Sequence, residues 1–352
     1  MTALQKLLGV DLPLIQAPMA GAQGAALAVA VSNAGGLGSL PCAMLTPDAM
    51  RRELDAIKAG TSKPYNVNFF CHTPPLASDA REAHWRAVLA PYYAEFGIDP
   101  ATIAAGPGRA PFTAEAADVL EAFKPAVVSF HFGLPSAALL ARVRGWGAAI
   151  LSSATTVEEA LWLEAHGADA VIAQGVEAGG HRGMFLTDDI TTQVGTFALL
   201  PQIVRAVKLP VIAAGGIADA QGVAAALALG AAGVQIGTAY LLCPETSTSA
   251  VHRAALTGNA AGAAARHTAL TNLFTGRPAR GIVNRFMREL GCINAAAPEF
   301  PLATSAMLPL RTKAEAAGSG DFSPLWSGQN ASGCRAVPAA ELTRGLAAGF
   351  RL

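Results

Sequence analysis

The sequence predicts an α/β protein, a (β/α)8 TIM barrel that carries a mainly helical lid. Eight short apolar runs of strand length recur along the chain, at residues 14–17, 37–40, 65–69, 126–130, 148–151, 170–173, 210–213 and 233–236. Stretches of helical pattern separate these runs, as at residues 47–59, 157–166 and 196–207. Because the runs are apolar throughout rather than alternating, they are typical of parallel strands buried on both faces. Eight such strands that alternate with helices favour a closed barrel.

An open, doubly wound sheet is the alternative for this alternation. The count of eight argues against it, and no Gly-x-Gly-x-x-Gly motif follows the first apolar run. Residues 222–243 carry no charge and are long enough to suggest a membrane span. Their pattern changes at Gly230 from helical to strand-like, however. We therefore expect a buried helix and a buried strand there, and no membrane partner.

Two regions exceed the barrel repeat and predict the lid. We expect the barrel to comprise residues 1–72, 124–243 and 321–352, and the helical lid and substrate region to comprise residues 73–123 and 244–320. Long insertions after strands belong on the carboxyl face of a barrel, where they cover the site.

Each insertion has its own sequence features. The first contains a helical segment at residues 78–96 and a Gly/Pro-rich turn at residues 106–108. The second carries four arginines that we expect on a solvated face: Arg277, Arg280, Arg285 and Arg288.

Composition limits the classes of partner. Hydrophobic residues make up 52% of the 352 residues, charged residues only 14%, and the formal net charge is zero. Nucleic acid is not expected as a partner, because neutralising phosphates needs a basic surface. The five cysteines are scattered and form no Cys-x-x-Cys pair, which favours reduced thiols, a cytoplasmic location and no zinc site. The N-terminus shows no signal-peptide pattern, and the sequence leaves a homo-oligomer open.

The most informative stretch is residues 174–183, which directly follow the apolar run 170–173. Gly179 and Gly180 lack side chains, so a flat or phosphorylated cofactor can press against the main chain there. His181 then supplies the only side chain in this loop whose unperturbed pKa lies near neutrality. We interpret it as a catalytic histidine, with a structural loop cap as the alternative.

The ends of the other apolar runs supply a cofactor site. Loops after the last two barrel strands often bind phosphate through backbone N–H groups, and here they hold Gly215, Gly216 and Gly237, with the Thr238 hydroxyl beside them. Neutral amides at neighbouring strand ends suit the edge of a flavin ring, and Met19, next to Pro18, offers a soft apolar surface for a ring face. The candidate amides are Asn68, Gln174 and Gln235.

Other histidines are weaker candidates. His131 also lies at a strand end, where lining the pocket and packing in the core are equally compatible with the sequence. Glu177 and His181 are four residues apart, but the intervening glycines argue against a metal pair on a helix. The remaining histidines are expected on surfaces or in the lid: His72, His84, His166, His252 and His267.

Together these motifs resemble the nitronate monooxygenase family, formerly called 2-nitropropane dioxygenases. The matching segments lie at residues 17–21 (Ala-Pro-Met-Ala-Gly), 66–68 (Asn-Val-Asn), 174–183, 213–218 and 235–238, with a further match at residues 326–329 (Trp-Ser-Gly-Gln). They occur in family order and span most of the chain.

The resemblance implies a barrel with a helical lid, a non-covalent FMN, and oxidation of alkyl nitronates by O₂ to carbonyl compounds and nitrite. It leaves open whether neutral nitroalkanes are substrates as well. By that likeness His181 is the catalytic residue, and Asn68, Gln174, Gly179, Gly216 and residues 235–238 contact FMN. With the residues argued above, the expected cofactor site comprises Pro18, Met19, Asn68, Gln174, Gly179, Gly180, Gly215, Gly216, Gln235, Ile236, Gly237 and Thr238.

Three other functions are compatible with such a barrel. The first is an NAD(P)H-dependent flavin reductase of a quinone or an enoyl thioester, which needs no Rossmann motif. The second is a Schiff-base aldolase, which the sequence disfavours because Lys63, Lys124 and Lys208 precede strands instead of following them. The third is a non-catalytic phosphate-binding barrel, which would need no histidine beside paired glycines.

Overall fold

The computed structural model describes residues 1–103, 109–258 and 267–351. Within these residues the chain forms eleven strands: β1 (Leu14–Gln16), β2 (Gly38–Pro41), β3 (Tyr65–Phe70), β4 (Val127–His131), β5 (Ala149–Ala154), β6 (Ala170–Gln174), β7 (Gly180–His181), β8 (Val211–Ala214), β9 (Gly233–Ile236), β10 (Thr268–Thr271) and β11 (Ala279–Ile282).

Eight of these strands form one parallel sheet in the order β1-β9-β8-β6-β5-β4-β3-β2. A parallel bridge between Ile15 and Leu37 joins β1 to β2 at the two ends of that order, so the sheet closes into a barrel. Each of the eight predicted apolar runs overlaps one barrel strand, which confirms the predicted TIM barrel. The other three strands form a separate antiparallel sheet in the order β10-β11-β7.

The described residues also form thirteen α-helices: α1 (Ala3–Leu8), α2 (Ala25–Asn33), α3 (Pro47–Gly60), α4 (Asp79–Phe96), α5 (Ala114–Phe123), α6 (Ala137–Gly145), α7 (Val157–Ala165), α8 (Thr196–Ala206), α9 (Ala220–Ala228), α10 (Ala250–Thr257), α11 (Arg285–Leu290), α12 (Ala303–Ala316) and α13 (Ala339–Ala347). Residues 222–243 thus contribute to a helix, α9, and a strand, β9, as predicted. Nowhere in the described ranges is a helix both long and apolar enough to cross a membrane.

Side-chain caps start many of these helices. Thr46 accepts a hydrogen bond from the amide of Ala49, and Pro47 occupies the first turn of α3, where no backbone donor is lost. Asp219 caps α9 in the same way through the amide of Gly222. These local signals place the starts of α3 and α9 in the loops that follow β2 and β8.

The amino end of the barrel is filled by apolar side chains. Leu4 and Leu8 of α1 join a buried cluster with Ile15, Ile172 and Ile212, which come from barrel strands. This packing closes the amino end, so the carboxyl ends of the strands remain for ligand contacts.

The insertions form a second core of their own. Trp85 of α4, Phe286 of α11 and Leu310 of α12 are fully buried in one cluster with Phe322. The Tyr93 hydroxyl donates to the carbonyl oxygen of Ala306 at 2.7 Å, which ties α4 to α12. The insertions are mainly helical, as predicted, but the second also contains the hairpin of β10 and β11, which the sequence did not predict. The turn at residues 106–108 lies outside the described residues.

A substitution at Gly38 tests how closely the barrel packs against its outer helices. A Cβ at Gly38 would clash with the carbonyl oxygen of Ala28 in α2 and lie 2.6 Å from its carbonyl carbon, and backbone atoms cannot rotate away. Gly38→Ala is therefore expected to lower the free energy of unfolding by about 1–3 kcal/mol, measured by urea denaturation.

Gly145→Ala is the matched control, because a Cβ at Gly145 would meet no atom within 4 Å. It lies in α6, where Ala is favoured over Gly, so this variant is expected to be as stable as the parent or more stable. Equal stability of the two variants would contradict the close approach of β2 to α2.

Candidate active site

The predicted cofactor residues meet at one edge of the barrel. Parallel pairing places Gln174 opposite Ala214, and Ala214 opposite Gln235, at the carboxyl ends of β6, β8 and β9. Asn68 pairs with Ser129 at the same edge. Gly237 lies next to the first strand end, because a Cβ there would lie 3.7 Å from the Met19 sulfur.

The loops after β8 and β9 form an open cradle of main chain. Gly215 and Gly216 have φ angles of +113° and +75°, a region that favours glycine. Among the described residues, no protein acceptor receives a hydrogen bond from either amide. Gly237 directly precedes a 3₁₀ turn, Thr238–Leu242, and no side chain caps the start of that turn. Free amides in adjacent loops are the donors that a phosphate group requires.

The segment at residues 326–329 supports this cradle from outside. The Gly328 amide donates to the Thr238 hydroxyl at 2.9 Å, and the Gln329 amide donates to the Glu177 carbonyl oxygen at 2.9 Å. A Cβ at Gly179 would lie only 2.5 Å from the Gly328 nitrogen. Gly179 therefore has a structural reason to be glycine, namely the close approach of this segment.

The three candidate amides differ in how much of their hydrogen-bonding capacity the protein uses. Gln174 accepts from the Gly183 amide at 2.7 Å and donates to the His181 carbonyl oxygen at 3.0 Å, so it holds the following loop in place. Both hydrogen bonds that Asn68 donates go to Ser129. Gln235 is different, since its side-chain oxygen is buried and has no partner among the described residues. It is the amide that most requires a ligand.

His181 lies on strand β7, which corrects the expectation that it is part of an irregular loop. Its partner across the sheet is Ala279 of β11, so the second insertion fixes its backbone. The half-buried ring places Nε2 at 3.0 Å from the Thr275 hydroxyl oxygen. Ring centroids of Phe300 and Trp326 lie 5.2 and 5.6 Å away. One hydroxyl and two aromatic rings therefore orient the imidazole.

His131 is linked to His181 through its backbone. The Nε2 of His131 lies 3.1 Å from the His181 carbonyl oxygen, and its Nδ1 lies 3.1 Å from the Ser153 hydroxyl. A carbonyl oxygen can only accept, so Nε2 carries the proton and Nδ1 accepts from Ser153. His131 thus both packs at the strand end and positions the catalytic candidate.

The histidines of the site are held neutral. Burial is the main cause that lowers the pKa of His181 well below its usual range, and the charges of Arg109 and Arg277 act in the same direction. Burial likewise lowers the pKa of His72 and of His131, each to about 4. An uncharged imidazole at neutral pH can accept a proton or share a hydrogen bond.

Arg280 is buried and Arg277 is half-buried, although both were expected on a solvated face, and His72, which was expected on a surface or in the lid, is buried. Arg280 is 6% exposed and donates through Nε to the Val176 carbonyl oxygen at 2.8 Å. Arg277 stacks over the Phe132 ring, with its Cζ 4.2 Å from the ring centroid. His72 and His252 are 5% and 9% exposed. The expectation was wrong for Arg277, Arg280 and His72 because the insertions fold inward onto the barrel mouth. His252 lies on α10, within the region that was expected to form the lid.

The sequence reasoning missed Arg182, whose guanidinium is completely buried. It donates to the carbonyl oxygens of Gln174 and Gly175 at 2.6 and 2.8 Å, and to the Gln193 side-chain oxygen at 2.8 Å. Arg182 therefore caps the carboxyl end of β6. Its position directly after His181 was the available signal.

Phe132 was missed as well. It adopts a positive φ of +69°, which is unusual for an aromatic residue and common where function constrains the chain. Its ring packs in one buried cluster with Phe70 and Phe300. These rings give the space beside His181 an apolar wall. Over the described ranges, no group of three or more His, Cys, Asp or Glu side chains is placed to hold a metal ion.

The neutral state of His131 predicts acid sensitivity. Its pKa is about 4 in the folded protein and ~6.5 when unfolded, so between these values the unfolded chain binds more protons. The free energy of unfolding should therefore fall as the pH drops from about 6.5 towards 4, with this residue contributing a slope of up to ~1.4 kcal/mol per pH unit. Urea denaturation across that range measures the slope.

His131→Gln is expected to make this slope shallower, because glutamine keeps a donor but does not titrate. His84→Gln, which alters an exposed histidine on α4, serves as control and should leave the slope unchanged. An identical slope in His131→Gln and the parent would mean that His131 is not held neutral.

Comparison with known proteins assigns the family. The family model for nitronate monooxygenase matches residues 1–349. A nitronate monooxygenase of Paraburkholderia phytofirmans is 46% identical, over 98% of this chain and 93% of the relative. A nitronate monooxygenase of Pseudomonas aeruginosa is 44% identical, over 97% of each chain.

Solved structures agree with this assignment. Nitroalkane oxidase from Streptomyces ansochromogenes superposes with a TM-score of 0.88 at 41% identity, covering 99% of this chain and 98% of that one. FabK from Thermotoga maritima is less similar, with a TM-score of 0.74 at 28% identity, covering 100% of this chain and 96% of that one. A match along nearly the whole length, with two relatives above 40% identity, shows that the chain belongs to the nitronate monooxygenase family.

Proposed function

We propose that this protein is an FMN-dependent nitronate monooxygenase that oxidises alkyl nitronates with O₂ to carbonyl compounds and nitrite. Its family consists of flavin-dependent oxidoreductases. The single observation that carries the proposal is the placement of a neutral histidine, His181, beside a glycine cradle at the open end of the barrel. Such a cradle suits a phosphorylated cofactor. A neutral imidazole can donate a hydrogen bond to a nitronate, which is already deprotonated and needs no base.

The residues at the barrel mouth fit FMN. The free amides of Gly215 and Gly216, with the turn that begins at Gly237, would hold the phosphate. The unpaired oxygen of Gln235 would accept a hydrogen bond from a ring N–H group, which removes the cost of burying it alone. The side-chain amides of Asn68 and Gln174 already donate hydrogen bonds to protein acceptors. Any amide hydrogen that remains unused would orient the flavin ring. Met19 would contact the ring face.

Bound FMN would supply the electron acceptor for the nitronate and a route for electrons to O₂. The protein residues supply orientation and exclusion of water. His181 would hydrogen-bond the nitro oxygens of a nitronate, or accept a proton from a neutral nitroalkane. Thr275 and the carbonyl contact from His131 keep the imidazole in one position. Phe70, Phe132 and Phe300 would surround the alkyl group and limit access of water.

A flavin reductase of a quinone or an enoyl thioester is the competing function on the same barrel. No contact described above favours it over nitronate oxidation. We further propose that the protein works in the cytoplasm, since no disulfide bond joins cysteines within the described residues. A homo-oligomer is compatible with that location.

The electron donor decides between the two functions. The purified protein is expected to show a flavin absorption spectrum, and heat denaturation is expected to release FMN. Under anaerobic conditions, adding a preformed alkyl nitronate should bleach the flavin band, and NADH should bleach it far more slowly. Bleaching by NADH with no response to the nitronate would establish the reductase instead.

His181→Asn tests the catalytic residue. Asparagine keeps a polar side chain of similar reach but cannot act as a base at neutral pH. We expect the variant to bind FMN as the parent does and to lose about 100-fold or more in kcat/KM for a nitronate. Stopped-flow reduction of the flavin measures the chemical step directly. The exposed His166→Asn, on the C-terminal side of α7, is the control and should keep full activity.

Full FMN content with unchanged turnover in His181→Asn would remove this residue from the mechanism. Loss of FMN in that variant would show that His181 supports the cofactor seat instead.

A further inference from the structure

We propose that Arg277 and Arg109 form an anion subsite that binds the negatively charged nitro group of the substrate beside His181. The inference rests on the proposed function, because a nitronate is an anion whereas its parent nitroalkane is neutral. It concerns residues that the strand-end motifs do not include. Each arginine comes from a different insertion, so the subsite exists only when both insertions cover the barrel.

Arg277 lies at the turn between β10 and β11. Its Nη2 donates to the Met184 carbonyl oxygen, and its guanidinium lies over Phe132, with Cζ 4.2 Å from the ring centroid. The Nε atom is buried and has no partner in the described part of the chain. A buried N–H donor without an acceptor costs free energy, and an anionic oxygen would remove that cost.

Arg109 approaches from the first insertion. Its Nη1 donates to the Thr304 hydroxyl at 3.0 Å, and its Cζ lies 5.8 Å from the centroid of Phe300. Its Nε is also buried without a partner among the described residues. Phe300 packs against the His181 ring as well, with centroids 5.2 Å apart. Arg109 and His181 therefore lie against the same ring, and we call the region around Phe300 that they share the chamber.

Carboxylates do not neutralise these two arginines directly. Within the described ranges, no salt bridge includes Arg109 or Arg277. Asp188 and Glu159 act on Arg277 only through space and form no ion pair with it, and the Glu159 oxygens accept hydrogen bonds from Thr155, Phe185 and Leu186. The neighbouring histidines are neutral near pH 7, so they add no charge to the two guanidinium groups. With no carboxylate in direct contact, both guanidinium groups are available to an anionic ligand.

Two physical consequences follow for the substrate. A chamber with two half-buried cations and an apolar aromatic wall favours a small organic anion over a neutral molecule of the same shape. The planar guanidinium of Arg277 can donate two parallel hydrogen bonds, which matches the two oxygens of a nitronate. Arg277 would thus select the ionised form, and His181 would orient it.

The test measures binding of an inert planar anion as well as turnover. Nitrate is titrated into the FMN-loaded protein, and binding is followed by calorimetry and by the flavin absorption band. We expect Arg277→Met to weaken nitrate binding about tenfold or more and to raise KM for a preformed nitronate by a similar factor. Arg277→Lys keeps the positive charge but loses the planar guanidinium with its paired donors. Its nitrate affinity and KM should fall between those of the parent and of Arg277→Met.

Arg288→Met is the matched control, because Arg288 is an exposed arginine of the same insertion. It should bind nitrate as the parent does. FMN content and thermal unfolding of every variant are measured first, and Arg109→Met provides a second variant if Arg277→Met folds poorly. Nitrate affinity and KM that are unchanged in both methionine variants would overturn the subsite.

The outcome for the subsite is separable from that for the proposed function. If the parent oxidises nitronates and Arg277→Met keeps its nitrate affinity and KM, the function stands and the subsite is wrong. If the parent fails to oxidise nitronates but binds nitrate in an Arg277-dependent manner, the subsite stands and the proposed function is wrong.

Discussion

The antiparallel pairing of β7 with β11 is the constraint on which the candidate site depends. It places Gly180 opposite Arg280 and His181 opposite Ala279, and so joins the loop after β6 to the second insertion. A two-residue strand has little stability of its own, and it forms here because β10 and β11 already present an edge. The same hairpin carries Thr275 and Arg277 at its turn. One sheet thus fixes the histidine, its hydroxyl partner and a half-buried cation together.

This arrangement also explains the electrostatics of the site. Arg182 caps the end of β6 and Arg280 reaches the carbonyl oxygen of Val176, so backbone dipoles stabilise two buried guanidinium groups. Burial is the main cause that keeps His131 and His181 neutral, and the charge of Arg277 acts on both in the same direction, together with Arg182 for His131 and Arg109 for His181. A chamber with fixed cations and neutral bases can bind an anion without first taking up a proton. The protonation state is therefore built into the fold.

The barrel can be predicted from the sequence more completely than the contacts of the candidate site. Each barrel strand is a continuous apolar run bounded by loops, so its position can be predicted from local pattern. The positive φ angles of Gly215 and Gly216 follow from residue type as well. The partners of Gln174 cannot be predicted in this way, because an amide has the same donors whether it faces a ligand or the Gly183 backbone. Nor does any local pattern reveal that Arg277 folds inward, since that depends on a strand pairing across about a hundred residues.

The amides of the site show how structural and ligand-binding roles divide. Gln174 donates a hydrogen bond to neighbouring backbone, and Asn68 donates to Ser129. These contacts keep the strand ends in register without a ligand. Gln235 has an unpaired buried oxygen, a cost that the fold tolerates at this position. A protein that only had to fold would gain from an apolar residue there. The unpaired oxygen therefore supports the proposed cofactor site, in which a flavin ring between the Met19 and Gly215 loops would offer a donor.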